Sequence, residues 1–285
     1  MSEKIALLGF GDIARRLVPY LFDADIRGIK RSPIDDAPVD IALADCRDTA
    51  AMTDVLSEGF DVLVMTFTPT SMSDEGYKEG YVDTVTTVLN ALKAQEHQPR
   101  LLLFVSSTSV YAQQDAQWVD ESSITEPTSY SGQRLLEAEQ LIESSGLPYC
   151  CVRFSGIYGP GRRRLIEQVI DGHGSPKEPV LYTNRIHVSD CAGVLAHLMQ
   201  RQKIKSQGIE SRYVATDCEP VPLYDVKQWM ASTLGLPDDH LSVNTEQPAR
   251  MLRSSKRCSN KKLLESGYQF LYPTYREGYG DLLKE

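Results

Sequence analysis

Residues 4–14, read as Lys-Ile-Ala-Leu-Leu-Gly-Phe-Gly-Asp-Ile-Ala, leave the backbone very few paths. The apolar run that opens the segment suits a short strand buried on both faces. Gly9 then permits a tight turn, Gly11 lets the backbone be approached closely from outside, and Ala14 is small enough for a following helix to pack near the strand. Apolar residues at helical spacing follow over 13–22. A strand, a glycine turn and a helix in that order offer free N–H groups and the positive end of a helix to a pyrophosphate. Gly9, Phe10, Gly11, Asp12, Ile13 and Ala14 are therefore expected to form the phosphate loop of a dinucleotide site. A plain strand-to-helix turn is the competing reading.

The pattern repeats along the first half of the chain. Apolar runs bounded by turn residues predict strands over 4–8, 26–30, 40–43, 62–67, 101–106 and 149–154. Apolar spacings of three and four predict helices over 13–22, 77–95 and 129–145, the last stopped by Gly146 and Pro148. Alternation of this kind gives an α/β fold, a Rossmann-type doubly wound parallel sheet with crossover helices. After Gly159 the pattern loosens into helices over 165–171, 188–201 and 223–234, with one strand at 212–215. We expect residues 1–160 to form the dinucleotide-binding domain, with 180–216 returning to it. Residues 161–179 and 217–285 would form a small C-terminal substrate-binding domain, its last stretch polar and punctuated.

The end of the second strand bears on which dinucleotide is bound. An acid there would hold the ribose 2′-hydroxyl of NAD. This chain has Lys30 and Arg31, two cations that suit the 2′-phosphate of NADP, so NADP is favoured over NAD. Asp35 and Asp36 keep NAD open. Asp45, after the third strand, could accept a bond from the adenine amino group or serve as a turn residue. Residues 66–69, beginning with Thr66, end the fourth strand and should line the crevice, because ligands sit at the carboxyl ends of parallel strands.

Composition narrows the partners. Of 285 residues, 41% are hydrophobic, enough for a large domain carrying a small one. A net charge of -9 argues against general nucleic-acid binding, and a basic run at Arg162, Arg163 and Arg164 is either an anion contact or a solvated face. No leader and no bilayer-length apolar run is visible, so a cytoplasmic protein without membrane contact is expected. The six cysteines lack metal-binding spacing and read as core residues, so no metal site is expected.

Further motifs carry a family resemblance. Val105-Ser-Ser-Thr-Ser-Val-Tyr111 closes the fifth predicted strand, and Tyr130-Ser-Gly-Gln-Arg134 opens the next helix. Arg153-Phe-Ser-Gly-Ile-Tyr-Gly-Pro-Gly-Arg162 and Arg185-Ile-His-Val-Ser-Asp190 follow. With the phosphate loop, these make the chain resemble the extended or atypical short-chain dehydrogenases/reductases grouped with NAD-dependent epimerase/dehydratase proteins, over nearly its whole length. The resemblance implies Tyr130 as general acid/base beside the nicotinamide, Ser107 as the hydroxyl that polarises the same oxygen, and a cation four residues after the tyrosine. It also implies that 153–162 borders cofactor and substrate. Homodimers paired through two helices occur among extended members, and both homodimer and monomer fit this chain.

The family's cation is a lysine; here it is Arg134. A free phenol titrates near ~10, so a base at neutral pH needs about three units of lowering, about 4 kcal/mol. Arg134 lies on the same helix face and can supply charge, but a planar fork does not fit where an ammonium bound ribose hydroxyls. Alternatively Arg134 faces solvent and pairs with Glu137, leaving Tyr130 as a pocket wall. His187 and Asp190 read more as hydrogen-bonding groups of the framework than as an acid/base pair. Two functions follow: an NAD(P)-dependent oxidoreductase or epimerase/dehydratase-like enzyme on a small polar, sugar-like substrate, or an NAD(P)-binding redox sensor or scaffold.

Overall fold

The computed structural model describes residues 2–204, 208–242 and 255–284. Thirteen strands are assigned among them: β1 Lys4–Leu8, β2 Asp25–Lys30, β3 Asp40–Leu43, β4 Val62–Met65, β5 Leu101–Ser107, β6 Gln117–Val119, β7 Tyr149–Phe154, β8 Gly156–Tyr158, β9 Tyr182–Thr183, β10 Arg185–His187, β11 Arg212–Ala215, β12 Val221–Pro222 and β13 Lys256–Cys258. The α-helices are α1 Asp12–Leu17, α2 Thr49–Leu56, α3 Asp74–Tyr77, α4 Thr84–Lys93, α5 Tyr130–Ser144, α6 Arg164–Ile170, α7 Val188–Lys203, α8 Leu223–Thr233, α9 Lys261–Glu265 and α10 Tyr275–Leu282.

Seven strands form one sheet in the order β11-β7-β5-β4-β1-β2-β3. The pairs around β1 are parallel. The chain builds outward from β1 to β3 and then returns to place β4 on the other side of β1. The order therefore reverses between β1 and β4, and a ligand crevice opens outside the carboxyl ends of strands at such a switch. This is the expected Rossmann-type α/β sheet. Its central strands β1, β4 and β5 are buried on both faces, as their unbroken apolar runs require, whereas β3 lies at the edge with Leu43 60% exposed.

Several expected elements change at their ends. The strand expected over 62–67 stops at Met65, because Thr66 turns its hydroxyl to the Gly9 carbonyl oxygen at 2.9 Å. The helix expected over 13–22 ends at Leu17 and tightens into a 3₁₀ turn, Val18–Tyr20, around Pro19. The helix expected over 77–95 begins earlier, at Asp74, with Ser73 capping it, and passes through a π-helical turn, Lys78–Asp83, before α4.

The chain divides into two compact units. The first comprises Met1–Val110, Thr125–Arg153 and Ala192–Tyr213, and the second comprises Tyr111–Ile124, Phe154–Cys191 and Val214–Glu285. The expected C-terminal domain includes residues 243–254, which lie outside the described residues. In the second unit, α6, α8 and α10 bury one core containing Ile166, Val169, Val226, Met230, Tyr275 and Tyr279. The α10 helix was not visible as such in the polar C-terminal reading. A reciprocal capping box between Thr274 and Glu277 starts it, and Tyr275, Tyr279 and Leu282 give its buried face. Among the described residues, no helix is long and apolar enough to cross a membrane.

Candidate active site

The phosphate loop is held from below. Gly9 has φ 79°, and a Cβ there would come within 3.1 Å of the Thr66 carbonyl oxygen. The N–H groups of Gly9 and Phe10 both donate to the Ile29 carbonyl oxygen, and the Thr66 hydroxyl donates to Gly9. Glycine is thus needed at 9 by conformation and by close approach. Phe10 turns its ring into the core over Gly28, leaving only its backbone to the crevice. Ala14 is fully buried under the loop, Ile13 is half-buried, and exposed Asp12 bonds Arg16 at 2.8 Å. Gly11 caps α1 with extended backbone, and its side-chain-less position leaves the first turn without a side-chain cap.

The ends of β2 and β3 carry the groups expected to read the ribose and adenine. Arg31 is exposed. Asp45 accepts from the Arg47 backbone N–H at 3.0 Å and from its guanidinium at 2.9 and 3.2 Å, a turn built on the acid itself. Bonding by Arg47 holds the Asp45 carboxyl below the usual range against the opposing effect of burial, and the charge of Arg31 adds to this. Arg47 is a residue that sequence reading passed over. Its guanidinium also approaches Glu79 at 3.6 Å, and Glu79 accepts from the Thr70 hydroxyl at 2.7 Å, which ties the third-strand loop to the segment after β4.

Ser107 and Tyr130 are brought to the same end of the first unit by a glycine. Ser107 ends β5, and its Oγ accepts from the Ser109 N–H at 3.1 Å. Ser129 caps α5, making Tyr130 the first residue of the helix. A Cβ on Gly132 would fall 2.3 Å from the Ser109 carbonyl oxygen, so only glycine lets α5 come this close to the turn after Ser107. No hydrogen bond joins the Ser107 and Tyr130 hydroxyls.

The Tyr130 hydroxyl instead donates to the Met72 carbonyl oxygen at 2.9 Å. Its ring is 39% exposed and meets the edge of Tyr77 at 5.5 Å. Arg134 places Nε and Nη2 on the two oxygens of Asp74, at 2.8 and 2.9 Å, and Nη1 on Glu137 at 2.9 Å. The bonds to Asp74, and then to Glu137, raise the guanidinium's pKa, and the same fork lowers that of the Asp74 carboxyl. The Glu137 pairing was among the sequence readings; Asp74 was not, because it lies sixty positions earlier in the chain.

Beneath the hydroxyl cluster sits a buried polar network that sequence reading also missed. Glu139, 1% exposed, accepts from the Ser106 hydroxyl at 2.5 Å and from Arg153 Nη2 at 2.6 Å and Nε at 3.0 Å. It joins α5 to β5 and β7. Arg153, expected to border the ligands, is 2% exposed and engaged in this network.

In the second unit, Asp190 is fully buried and accepts from the Tyr268 hydroxyl and from the backbone N–H groups of Leu271 and Tyr272 at 2.8 to 3.0 Å. Burial raises its pKa and these bonds oppose the rise. The ring of His187 lies 5.3 Å from that of Tyr158, which stacks on Tyr279 at 4.3 Å. Asp190 therefore anchors the segment 268–272, and His187 meets Tyr158 edge-on and Tyr272 at a tilt.

Comparison with known proteins bears on the family and the fold. The NAD dependent epimerase/dehydratase family matches residues 6–210. A solved structure from Methylobacillus flagellatus, classed with the NAD-dependent epimerases/dehydratases, is 32% identical, with a TM-score of 0.82 over 100% of this chain and 98% of its own. A protein of unknown function from Silicibacter pomeroyi is 26% identical, with a TM-score of 0.76 over 99% of both chains. The dTDP-glucose 4,6-dehydratase of Streptomyces venezuelae, solved with NAD bound, shares the fold at 17% identity and a TM-score of 0.78, over 99% of this chain and 96% of its own. No curated protein sequence matches the chain. With the family matched over most of its length and a full-length relative above 30% identity, the chain belongs to the NAD dependent epimerase/dehydratase family.

Proposed function

We propose that the chain binds a nicotinamide dinucleotide in the crevice outside β1 and β4 and acts, as an oxidoreductase or epimerase/dehydratase-type enzyme, on a small polar, sugar-like substrate. Gly11 carries this reading. A Cβ there would meet nothing closer than 3.6 Å, and φ -117°, ψ -156° is open to any residue, so the fold itself makes no demand for glycine. Room for a ligand does. The uncapped first turn of α1 beside it supplies N–H donors, so the residues present fit a pyrophosphate. When bound, the nicotinamide supplies hydride transfer. The chain's own groups handle the proton: Tyr130 Oη gives it to, or takes it from, a substrate oxygen, and Ser107 Oγ bonds the same oxygen. Arg31, exposed at the end of β2 and with no carboxylate bonded to it among the described residues, favours the 2′-phosphate of NADP over NAD, while Arg47 is held by Asp45 and Glu79.

One observation favours a second reading, a dinucleotide-binding sensor or scaffold without turnover. The Arg134 fork is taken up by Asp74 and Glu137, which leaves little of its charge to stabilise a phenolate and no donor pair for a ribose.

Fluorescence titration with NADPH and NADH tests binding. Wild type should bind both, NADPH more tightly; Gly11→Val should weaken both about tenfold or more with an unchanged far-UV spectrum, and Arg31→Ala should narrow the preference. Failure of either nucleotide to bind at millimolar concentration overturns the proposal. A turnover screen with sugar nucleotides, aldehydes and ketones should give activity that Tyr130→Phe abolishes, and binding without turnover across that screen selects the second reading.

A further inference from the structure

Residues 68–74 form a strap whose two sides are held in different ways. On one side it lies flat against the helical run that starts with α3. A Cβ on Gly76 would fall 2.4 Å from the Ser71 carbonyl oxygen, and one on Gly80 would fall 2.5 Å from that of Thr68, so backbone rests on backbone. The Thr70 N–H donates to the Gly76 carbonyl oxygen at 3.0 Å, and the Ser73 hydroxyl accepts from the Gly76 N–H at 3.1 Å. Strap and helix start are one preformed piece, and the π-helical turn Lys78–Asp83 follows directly, a feature frequent at functional sites.

On the other side the strap meets α5 through polar bonds near solvent. Tyr130 Oη donates to Met72, and the Arg134 fork grips Asp74, while the Met72 side chain itself is 66% exposed and contributes no buried apolar contact. Tyr130 and Arg134, one helical turn apart, thus hold residues only two apart on the strap. The two grips are coupled by geometry: releasing Asp74 leaves the Met72 carbonyl held to α5 by the Tyr130 bond alone, beside the Tyr77–Tyr130 ring contact.

From this we infer that Asp74 is a positioning residue for Tyr130. It holds Arg134 in place of a ribose, keeps Met72 over the phenol hydroxyl, and releases that hydroxyl to a substrate oxygen when the bridge opens. The inference rests on the reading of Tyr130 as the phenol that meets the ligand. The match is specific to arginine, since a lysine ammonium cannot bond both carboxylate oxygens in a planar fork.

The test uses the full chain without nucleotide, so that it is independent of whether NADPH or NADH binds. O-acetylation by N-acetylimidazole, located by peptide mass, reads access to the Tyr130 hydroxyl, and hydrogen exchange reads protection of 70–77. Asp74→Asn should raise both by about threefold to fivefold, the scale set by an exposed ion pair of good geometry. Asp74→Glu should restore much of the protection. Glu137→Gln, which leaves the fork on Asp74, should change neither, which separates positioning from a general loosening of α5. Acetylation and exchange in Asp74→Asn equal to wild type would overturn the inference, as would an equal rise in Glu137→Gln.

Discussion

Asp217 should make the second unit lose stability as pH rises from about 4 to about 7. Its side chain is 1% exposed; Oδ1 accepts only from the Glu219 N–H, at 3.2 Å, and Oδ2 has no hydrogen-bond partner. Arg185 is buried nearby and draws the pKa down, but no ion pair joins the two. Burial wins, and the carboxyl is pushed up from 3.8 to about 7. The native state therefore holds a proton that the unfolded chain releases near the ordinary carboxylate value. Between those two pKa values the folded state binds more protons, so stability falls as pH rises, and above about pH 7 the slope from this group vanishes. One proton costs about 1.4 kcal/mol per pH unit, and because the slope halves as pH reaches the folded pKa this gives about 2 kcal/mol between about pH 5 and pH 7. Asp217→Asn fixes the side chain in a neutral form of nearly the same shape. Both tryptophans, Trp118 and Trp229, lie in the second unit, so their fluorescence during urea unfolding reports on the right region. The difference between variant and wild type, in which other titrations cancel, should grow by about 2 kcal/mol in the variant's favour over that interval. A difference that is flat with pH, or a variant less stable at about pH 8, would refute the assignment of a buried, proton-holding Asp217.

Glu139→Ala should cost about 3–5 kcal/mol, because it takes the carboxylate from a buried Arg153 and the acceptor from Ser106; Glu137→Ala on the exposed face of the same helix should stay within about 0.5 kcal/mol. Urea unfolding followed by far-UV circular dichroism measures both, and equal effects would mean that the buried pair does not seat α5. Gly278→Ala would put a methyl 2.0 Å from Tyr158 Oη, so Tyr158 must leave its stack on Tyr279. The expected loss is about 1–3 kcal/mol, partly recovered by adding Tyr158→Phe, whereas Gly280→Ala, with nothing near its Cβ, should be tolerated. Thermal unfolding of the three variants checks the order, and no recovery in the double variant would place the strain elsewhere.

The parts of the site that were legible in the sequence are those fixed by local backbone demands. Gly9 is readable because a left-handed turn after a buried strand excludes other residues, and the helix that Tyr130 opens because apolar residues recur there at helical spacing, whereas the role expected of Tyr130 came from the family resemblance. The illegible parts are partnerships between distant positions. Glu139 looks like any acid on a helix until β7 delivers Arg153 to it, and in sequence only its helical phase set it apart from the solvated Glu137. Gly132 gave no sign of its purpose, since the backbone it approaches belongs to the turn after β5. In the C-terminal stretch a local signal did exist, Thr274 three residues before Glu277 with apolar spacing beyond, but surrounding polar residues and glycines masked it.

The substitution of arginine for lysine at 134 has the same character. Taken alone it reads as a defect, a fork where a point charge should hold two ribose hydroxyls. With Asp74 in view it becomes one half of a pair, because a bidentate donor gains most from a carboxylate and little from hydroxyls set for an ammonium. Arginine at 134 and aspartate at 74 therefore form a single structural choice, made across two segments that no local pattern connects. Arg134→Lys alone would weaken the grip on Asp74 without removing that carboxylate, which would still draw the ammonium. A lysine-like site requires both positions to change together.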